Sequence, residues 1–553
     1  MRAMRDELAR SMEQLKEAKL DTPYFIAYRV RERQTQFASA TLGSLLQSNS
    51  SHSRWFAVEV RVGSAAMDNT NFVSGGFQPF TGSVQLPLDS NYEEMRRDMW
   101  LATDAAYKQA VENLARKRSA LQNRNRTEDL PDFSSRKPAT GTDERPSASI
   151  PRAEMERLVR ELSAVFRNEP AVHNSQVSGG ILNTTDYYVN SEGSWFTRTV
   201  PQVVLNGEAG TQAADGLPLE DYYVVYARDW KSLPPREDLL ARTRQLTERL
   251  ARLREAPLLE RYNGPVLFEA QAAAEIFGQA FAPRLLAARR PFSDNPNLER
   301  AVATVESPFL DKLGSRVLPD FLSVSDDPIA TLRNGAPLFG GYQQDDDGIP
   351  AAPKTLIENG ELKTLLTTRV PVRGISESSG NRRGPSAMPS NLIVTTTKGL
   401  EEKELRAEFL KLVAKRGREF GVVVRRVGNP AFRFQRDLMA SLEAGNRGED
   451  RVEPAILAFK VYPDGREELI RNAQLAGVSA AAFRDIVAVS QTAPVYNAPF
   501  NSRGAGFSLS GGTTPNDVTV PLVSWVVPSM VLDDVTVRKP AGEIPKPPIA
   551  SKP

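Results

Sequence analysis

Met4, Leu8, Met12 and Leu15 recur at helical spacing, so the chain is predicted to open with a helix over 4–19. The period then drops to two. Tyr24, Ile26, Tyr28 and Val30 alternate with more polar residues, apart from Phe25 and Ala27, and Phe56, Val58, Val60 and Val62 alternate around Ala57, Glu59 and Arg61. With 36–46 between them, these runs predict an antiparallel meander. Tyr92, Met95, Met99, Ala102, Ala106 and Ala110 return to the helical period and predict a long helix over 91–121 against that sheet.

A polar, Pro/Ser-rich stretch follows at 122–150 and reads as a surface loop or linker. A helix over 152–167 leads into a hairpin, GGILNTTDYYV and SWFTRTVPQVVL, reversed at Asn190–Gly193. The next segment, SLPPREDLLARTRQLTERLARLREA, places Leu239, Leu246, Leu250 and Leu253 on one helical face. From Gly264 the chain turns strand-rich, with helices expected at 270–287 and 400–417 and a Gly/Ser/Pro/Asn-rich loop at 491–520. The tail after Arg538 carries five prolines. The expected fold is α+β. An N-terminal domain over 1–255 combines an antiparallel sheet with long helices, a β-rich domain spans 256–540, and a Pro-rich tail covers 541–553.

Length agrees with this division, because 553 residues exceed what one core serves. Charge narrows the partners. Lys plus Arg is 70 against 68 for Asp plus Glu, and a net charge of +2 provides no general attraction to nucleic acid or an anionic membrane. No stretch approaches eighteen apolar residues, so nothing is expected to span a bilayer. Residues 1–20 are charged throughout and show no secretory signal. The expected location is cytoplasmic, or extracytoplasmic if an upstream signal has been removed. There is no cysteine, and the two histidines are His52 and His173. Thiolate chemistry and Cys-ligated metals are thereby excluded, and a zinc site would rest almost wholly on carboxylates, which suit Mg or Ca better. No G-x-S-x-G elbow lies near either histidine, so a Ser-His-Asp triad has no support.

Four stretches carry a resemblance: the NSEGS hairpin; QDDDGIPAAPKTLIENGELKTLLTTR at 344–369; SSGNRRG at 378–384; and VSWVVPSMVLDDVTV at 523–537. In this order, with the helix at 270–287, the chain resembles the TldD/PmbA (TldE) family, also called modulators of DNA gyrase. The resemblance is strongest over 255–540. It implies a mixed N-terminal domain, a β-rich C-terminal domain, and a dimer enclosing a cavity. In the TldD branch a helix carries H-E-x-x-x-H, whose histidines bind zinc and whose glutamate is the general base, with a downstream cysteine completing a metallopeptidase site. The TldE branch lacks these ligands and acts as the partner subunit. Aligned here, the motif falls on GQAFAP: Gly278 and Pro283 stand for the histidines and Gln279 for the glutamate. Neither replacement can bind a metal, and an amide cannot take a proton from water at neutral pH. No catalytic residue, metal ligand or cofactor is therefore assigned to this chain, and zinc is expected only in a TldD-like partner.

Other candidates remain. Glu269 and Glu275 read as a relocated carboxylate pair, or, as favoured, as one charge at the helix start and one solvated or partner-facing charge. Asp345, Asp346, Asp347 and Gly348 read as a hard-cation site or, as favoured, a structural turn. Arg382 and Arg383 could clamp a peptide carboxylate, or be exposed loop charges. Arg382, Arg383, Asp346 and Asp347 are the substrate-binding candidates. Lys415, Arg416 and Arg418 suit a helix C-terminus and do not indicate nucleic-acid binding. Trp525 and Met530 are expected in the β-domain core. The leading expectation is a TldE-like subunit that shapes a peptide-binding cavity and pairs with a TldD-like peptidase. The alternatives are a hydrolase with a relocated carboxylate or metal site, and a structural homodimer.

Overall fold

A computed structural model of the chain describes all residues except 17–19, 74–82, 123–128, 171, 302–305, 433–451, 472, 501–520, 541–545 and 547–553. The fold is α+β, as the periodicities predict. Its first half is an antiparallel sheet covered on one face by four helices: α1 (Arg2–Gln14), α2 (Tyr92–Gln122), α3 (Arg152–Ala164) and α4 (Arg236–Glu255). The first two strands are β1 (Pro23–Thr41) and β2 (Ser44–Ser64). The expected meander is thus one long hairpin, with 36–46 its tip and not a separate strand. Leu42 and Gly43 both take positive φ, the geometry of a two-residue turn matched to strand twist.

The stretch expected as a loop at 122–150 contains β3 (Thr140–Asp143), which joins the sheet, and buries Asp132, Phe133, Ala148 and Ile150. Next come β4 (Asn174–Asn190), β5 (Trp195–Gln212) and β6 (Pro218–Ala227). The order β2-β1-β4-β5 is antiparallel throughout, with β6 antiparallel and β3 parallel to β5. At the β4–β5 turn, Asn190 Oδ1 accepts the Glu192 and Ser194 N–H groups and Gly193 takes φ +94°.

Alternation along these strands gives the sheet two different faces. Ile26, Tyr28 and Val30 pack under α1 and α2, and Val177, Ile181, Val203 and Leu205 under α3 and α4. The opposite face carries Phe25, Ala27, Tyr188 and Phe196, and also Arg29, Arg31, Asp186 and Arg198. That face receives the second half.

The second half stacks two mixed sheets. One includes β7 (Arg261–Phe268), β11 (Gly421–Val427), β12 (Ala455–Val461), β13 (Ile486–Ser490) and β16 (Met530–Arg538). The other includes β8 (Leu322–Asp326), β9 (Lys354–Glu358), β10 (Asn391–Thr396), β14 (Val495–Pro499) and β15 (Leu522–Val526). Val266, Phe268, Val422 and Val424 face the core between the sheets, whereas Leu267 and Val423 face the helix α6 (Glu402–Lys415) outside. The short helix α5 (Gln271–Ile276) lies inside the core. Trp525 and Met530 are buried there, as expected. Among the described residues no helix is long and apolar enough to cross a membrane.

Candidate functional site

Strand β7 ends at Phe268, and the chain enters α5 through Ala270 at φ +43°, a left-handed residue whose N–H is held by Ser529 Oγ at 3.1 Å. The predicted helix over 270–287 does not run through. It changes to a π-helical turn at Phe277–Phe281 and then to a 3₁₀ turn at Ala282–Leu285, where Pro283 sits in the first turn. The wider turn accommodates an extra residue, so positions five apart are stacked one turn apart. Gly278 and Pro283 occupy those positions.

The space at Gly278 is filled. A Cβ there would lie 3.2 Å from the Trp525 indole, so any side chain forces the ring to move. Phe277, Phe281, Phe309 and Phe483 close the other side with ring centroids 4.9–5.7 Å apart. Gln279 is a tie point. Its Nε2 donates to Glu275 Oε2 at 2.8 Å and to Gly428 O at 2.7 Å, and its Oε1 accepts the Glu453 N–H at 2.8 Å. A glutamate in its place would set a carboxylate against another carboxylate and a carbonyl. Zinc therefore does not fit this set: two positions lack donors, and the third spends its amide on the fold.

Glu275 departs from the favoured reading. It is 4% exposed, not solvated. Its Oε1 accepts from Tyr496 OH at 2.5 Å and Asn429 Nδ2 at 2.9 Å. Burial pushes the carboxyl up to about 7, outweighing these donors, and the Glu453 charge adds to the rise. Glu269 instead pairs with Arg425 at 2.8 Å, so the two glutamates have separate partners. The first half contributes the roof. Tyr222 packs on Phe432 and Tyr226 near Phe339, and Arg426 donates to Tyr222 O at 2.6 Å while pairing with Asp221 at 3.2 Å. Burial raises the Tyr222 and Tyr226 hydroxyls far above the ordinary range, and the Glu275 charge adds to both. Sequence reasoning missed Asn429, Tyr496 and Tyr222. No spacing links them, because they come together only where β6, β14 and the chain after β11 converge.

The substrate-binding candidates lie elsewhere, where the halves meet. Arg31, Asp186 and Arg198 sit directly opposite one another on β1, β4 and β5, giving a plus–minus–plus row. The loop after β8 inserts Asp346 into this row. Its carboxylate accepts from Arg198 Nη2 at 2.7 Å, Arg29 Nη1 at 2.9 Å and the Gly384 N–H at 2.6 Å. Burial works to raise Asp346, but Arg29 and Arg198 hold it well below the usual carboxylate range. The DDDG stretch is a turn: Gly348 takes φ +74°, and Asp345 Oδ1 accepts the Asp347 and Ile349 N–H groups. Burial, with the neighbouring Asp347, pushes Asp345 up to about 8. Arg382 joins Asp347 at 2.5 Å and Glu59 at 3.2 Å. Arg383 turns away and donates to the Pro389 and Leu522 carbonyls, each at 3.1 Å. Arg382, Asp346 and Asp347 are thus brought together, and neither arginine is an exposed loop charge.

Comparison with known proteins agrees with this architecture. Residues 261–415 match the PmbA/TldA metallopeptidase C-terminal domain. A metalloprotease of Methanothermobacter thermautotrophicus is 25% identical over 248 residues, covering 43% of this chain and 48% of that protein. The matches thus span about half, or less, of the length of these curated relatives. A crystal structure from Thermotoga maritima, described as a candidate modulator of a DNA gyrase, superposes with a TM-score of 0.60 at 16% identity. It is covered over 100% of its length by 96% of this chain. TldE from Thermococcus kodakarensis superposes with a TM-score of 0.59 at 14% identity, over 97% of this chain and 100% of its own. At such identities the superpositions speak for the fold alone. Together with the domain match over 261–415, they show a chain with the fold of the TldE and gyrase-modulator structures that is similar to the TldD/PmbA metallopeptidase-related family.

Proposed function

We propose that this chain is a non-catalytic, TldE-like subunit that shapes a peptide-binding cavity and pairs with a zinc-bearing TldD-like peptidase. The observation that carries the reading is Gln279. The residue standing for the family's general base has three hydrogen bonds inside the chain, and the neighbouring Gly278 lies against the Trp525 ring. A position with those obligations holds the fold together and has no proton to exchange. Tyr222 and Tyr226 from the first half pack on Phe432 and near Phe339 from the second, so aromatic rings of both halves meet beside the α5 site. The reading also assigns a cytoplasmic location and no direct contact with nucleic acid.

The test is coexpression with a relative that retains H-E-x-x-x-H and the cysteine. The two chains should copurify as a complex that cleaves unfolded peptides, with zinc tracking the relative. This chain purified alone should hold well below one zinc per chain by elemental analysis. Stoichiometric zinc on the isolated chain, or a strict monomer with the relative present, would overturn the proposal. A second reading, hydrolysis through a relocated carboxylate, draws on Glu275, a buried carboxyl poised near neutrality beside Tyr496. Peptide cleavage by the isolated chain, abolished by Glu275→Gln, would favour it.

A further inference from the structure

A cavity of about 450 Å³ lies between the first hairpin, α2 and the loops at 347, 368–370 and 382–385. It shares no lining residue with the α5 site. Glu59, Arg61, Asp347, Arg369 and Arg382 give it a charged wall. Most of these charges are spent. Arg61 bonds Glu59, Asp68 and Thr70, and Arg369 bonds Ser134 O and Glu192. Two atoms differ. Asp347 is 3% exposed, and its Oδ2 has no hydrogen-bond partner. Arg382 uses Nε on Gly384 O and Nη1 on Glu59 and Asp347, leaving Nη2 without an acceptor among the described residues. A buried carboxylate oxygen with no donor is costly unless something else supplies one. A guanidinium edge beside it seeks an acceptor, best a carboxylate. The complement of this pair is a molecule carrying an ammonium and a carboxylate a few bonds apart.

We infer that this cavity binds a small zwitterion, a free amino acid or a dipeptide, with its carboxylate on Arg382 and its ammonium on Asp347. The volume suits such a ligand, falling within the usual range of small-molecule sites. The inference rests on the cavity alone and stands whether or not the chain pairs with a peptidase.

Isothermal titration calorimetry of the full chain tests it with L-alanine, L-alanyl-L-alanine, N-acetyl-L-alanine and L-alaninamide. At least one zwitterion should bind with a Kd on the order of 1 mM or tighter, and the tighter of the two sets the span of the site. Each blocked analogue, lacking one charge, should bind about tenfold or more weakly. Arg382→Gln should weaken binding at least as much. Because Arg382 also bridges Glu59 and Asp347, a second variant is needed. Half-buried Asn113 lines the cavity from α2, outside the ion pairs, and Asn113→Trp should abolish binding by filling it while leaving the melting temperature near that of the parent. No heat from either zwitterion at about 10 mM, equal binding of the blocked analogues, or undiminished binding by folded Asn113→Trp would each overturn the inference.

Discussion

Replacing Asp346 with Asn should loosen the contact between the two halves. The change keeps the shape and removes one charge. Arg29, Arg31 and Arg198 face Asp186 and Asp346 in the native row, three cations against two anions. In the variant, three cations share Asp186 alone, and the new amide must point its NH₂ at a guanidinium or at the Gly384 N–H. Arg198 is 9% exposed and cannot swing into water without dragging β5 with it. Removing one partner of a buried pair costs about 3–5 kcal/mol, because the other charge stays buried. In a cooperative unit of about 250 residues, that is a fall of roughly 6–10 °C in melting temperature. A two-half chain need not melt in one step, so the assay is scanning calorimetry combined with limited proteolysis of the loop carrying Asp346. The variant should show a lowered or split transition and faster cleavage near 344–350. The double variant Asp346→Leu with Arg198→Met should be less damaged than the sum of its singles, since it leaves fewer unpaired charges. A single-variant shift below about 2 °C, with additive doubles, would refute the view that this network joins the halves.

Acid should act through the same network. Burial alone would raise Glu59, but Arg61 and Arg382 hold it at about 2, and arginines likewise depress Asp186 and Asp346. Folded values below unfolded ones mean stability that is complete above about pH 4–5 and lost as the pH falls toward 2, so the calorimetric transition should drop steeply in that window. Glu275 has the opposite sign. With its folded value raised to about 7, its contribution is full below the unfolded value of about 4.5 and is lost as pH rises through 7. The infrared difference between parent and Glu275→Gln, in which the Asp345 carboxyl cancels, should show a protonated carboxyl band that fades between about pH 6 and 8; no such band at pH 5 would contradict this. Finally, Gly278→His, Gln279→Glu and Pro283→His together should destabilise the chain and take up zinc weakly at best, because the first meets Trp525 and the second meets Glu275 and Gly428 O. Tight zinc binding in a chelator competition would show that the indole yields easily. The 501–520 part of the loop in which a cysteine ligand could be added lies outside the described residues.

Periodicity alone located α1 to α4, the long hairpins and the strand-rich second half, because each of those segments keeps one face apolar and that face must be buried whatever it meets. The replaced motif was legible for the same local reason: glycine and proline lack donor atoms in any fold. Local pattern failed where the outcome depended on what arrives from elsewhere. Residues 140–143 look like a polar loop, yet they pair with β5 because an edge was open to them. Glu275 looked like a solvated or partner-facing charge on its own helix. It is buried because Tyr496, Asn429 and Gln279 supply donors from three places in the chain. Arg382 read as a carboxylate clamp or an exposed loop charge and DDDG as a cation site or a structural turn, and local pattern did not show that the first half would bring Arg29, Arg198 and Glu59 against them and make their charges internal. The sequence by itself determined which faces had to be covered and which metal ligands could not exist. Only the tertiary structure decided which charges were buried, since a charge goes inside only where distant segments deliver its partner.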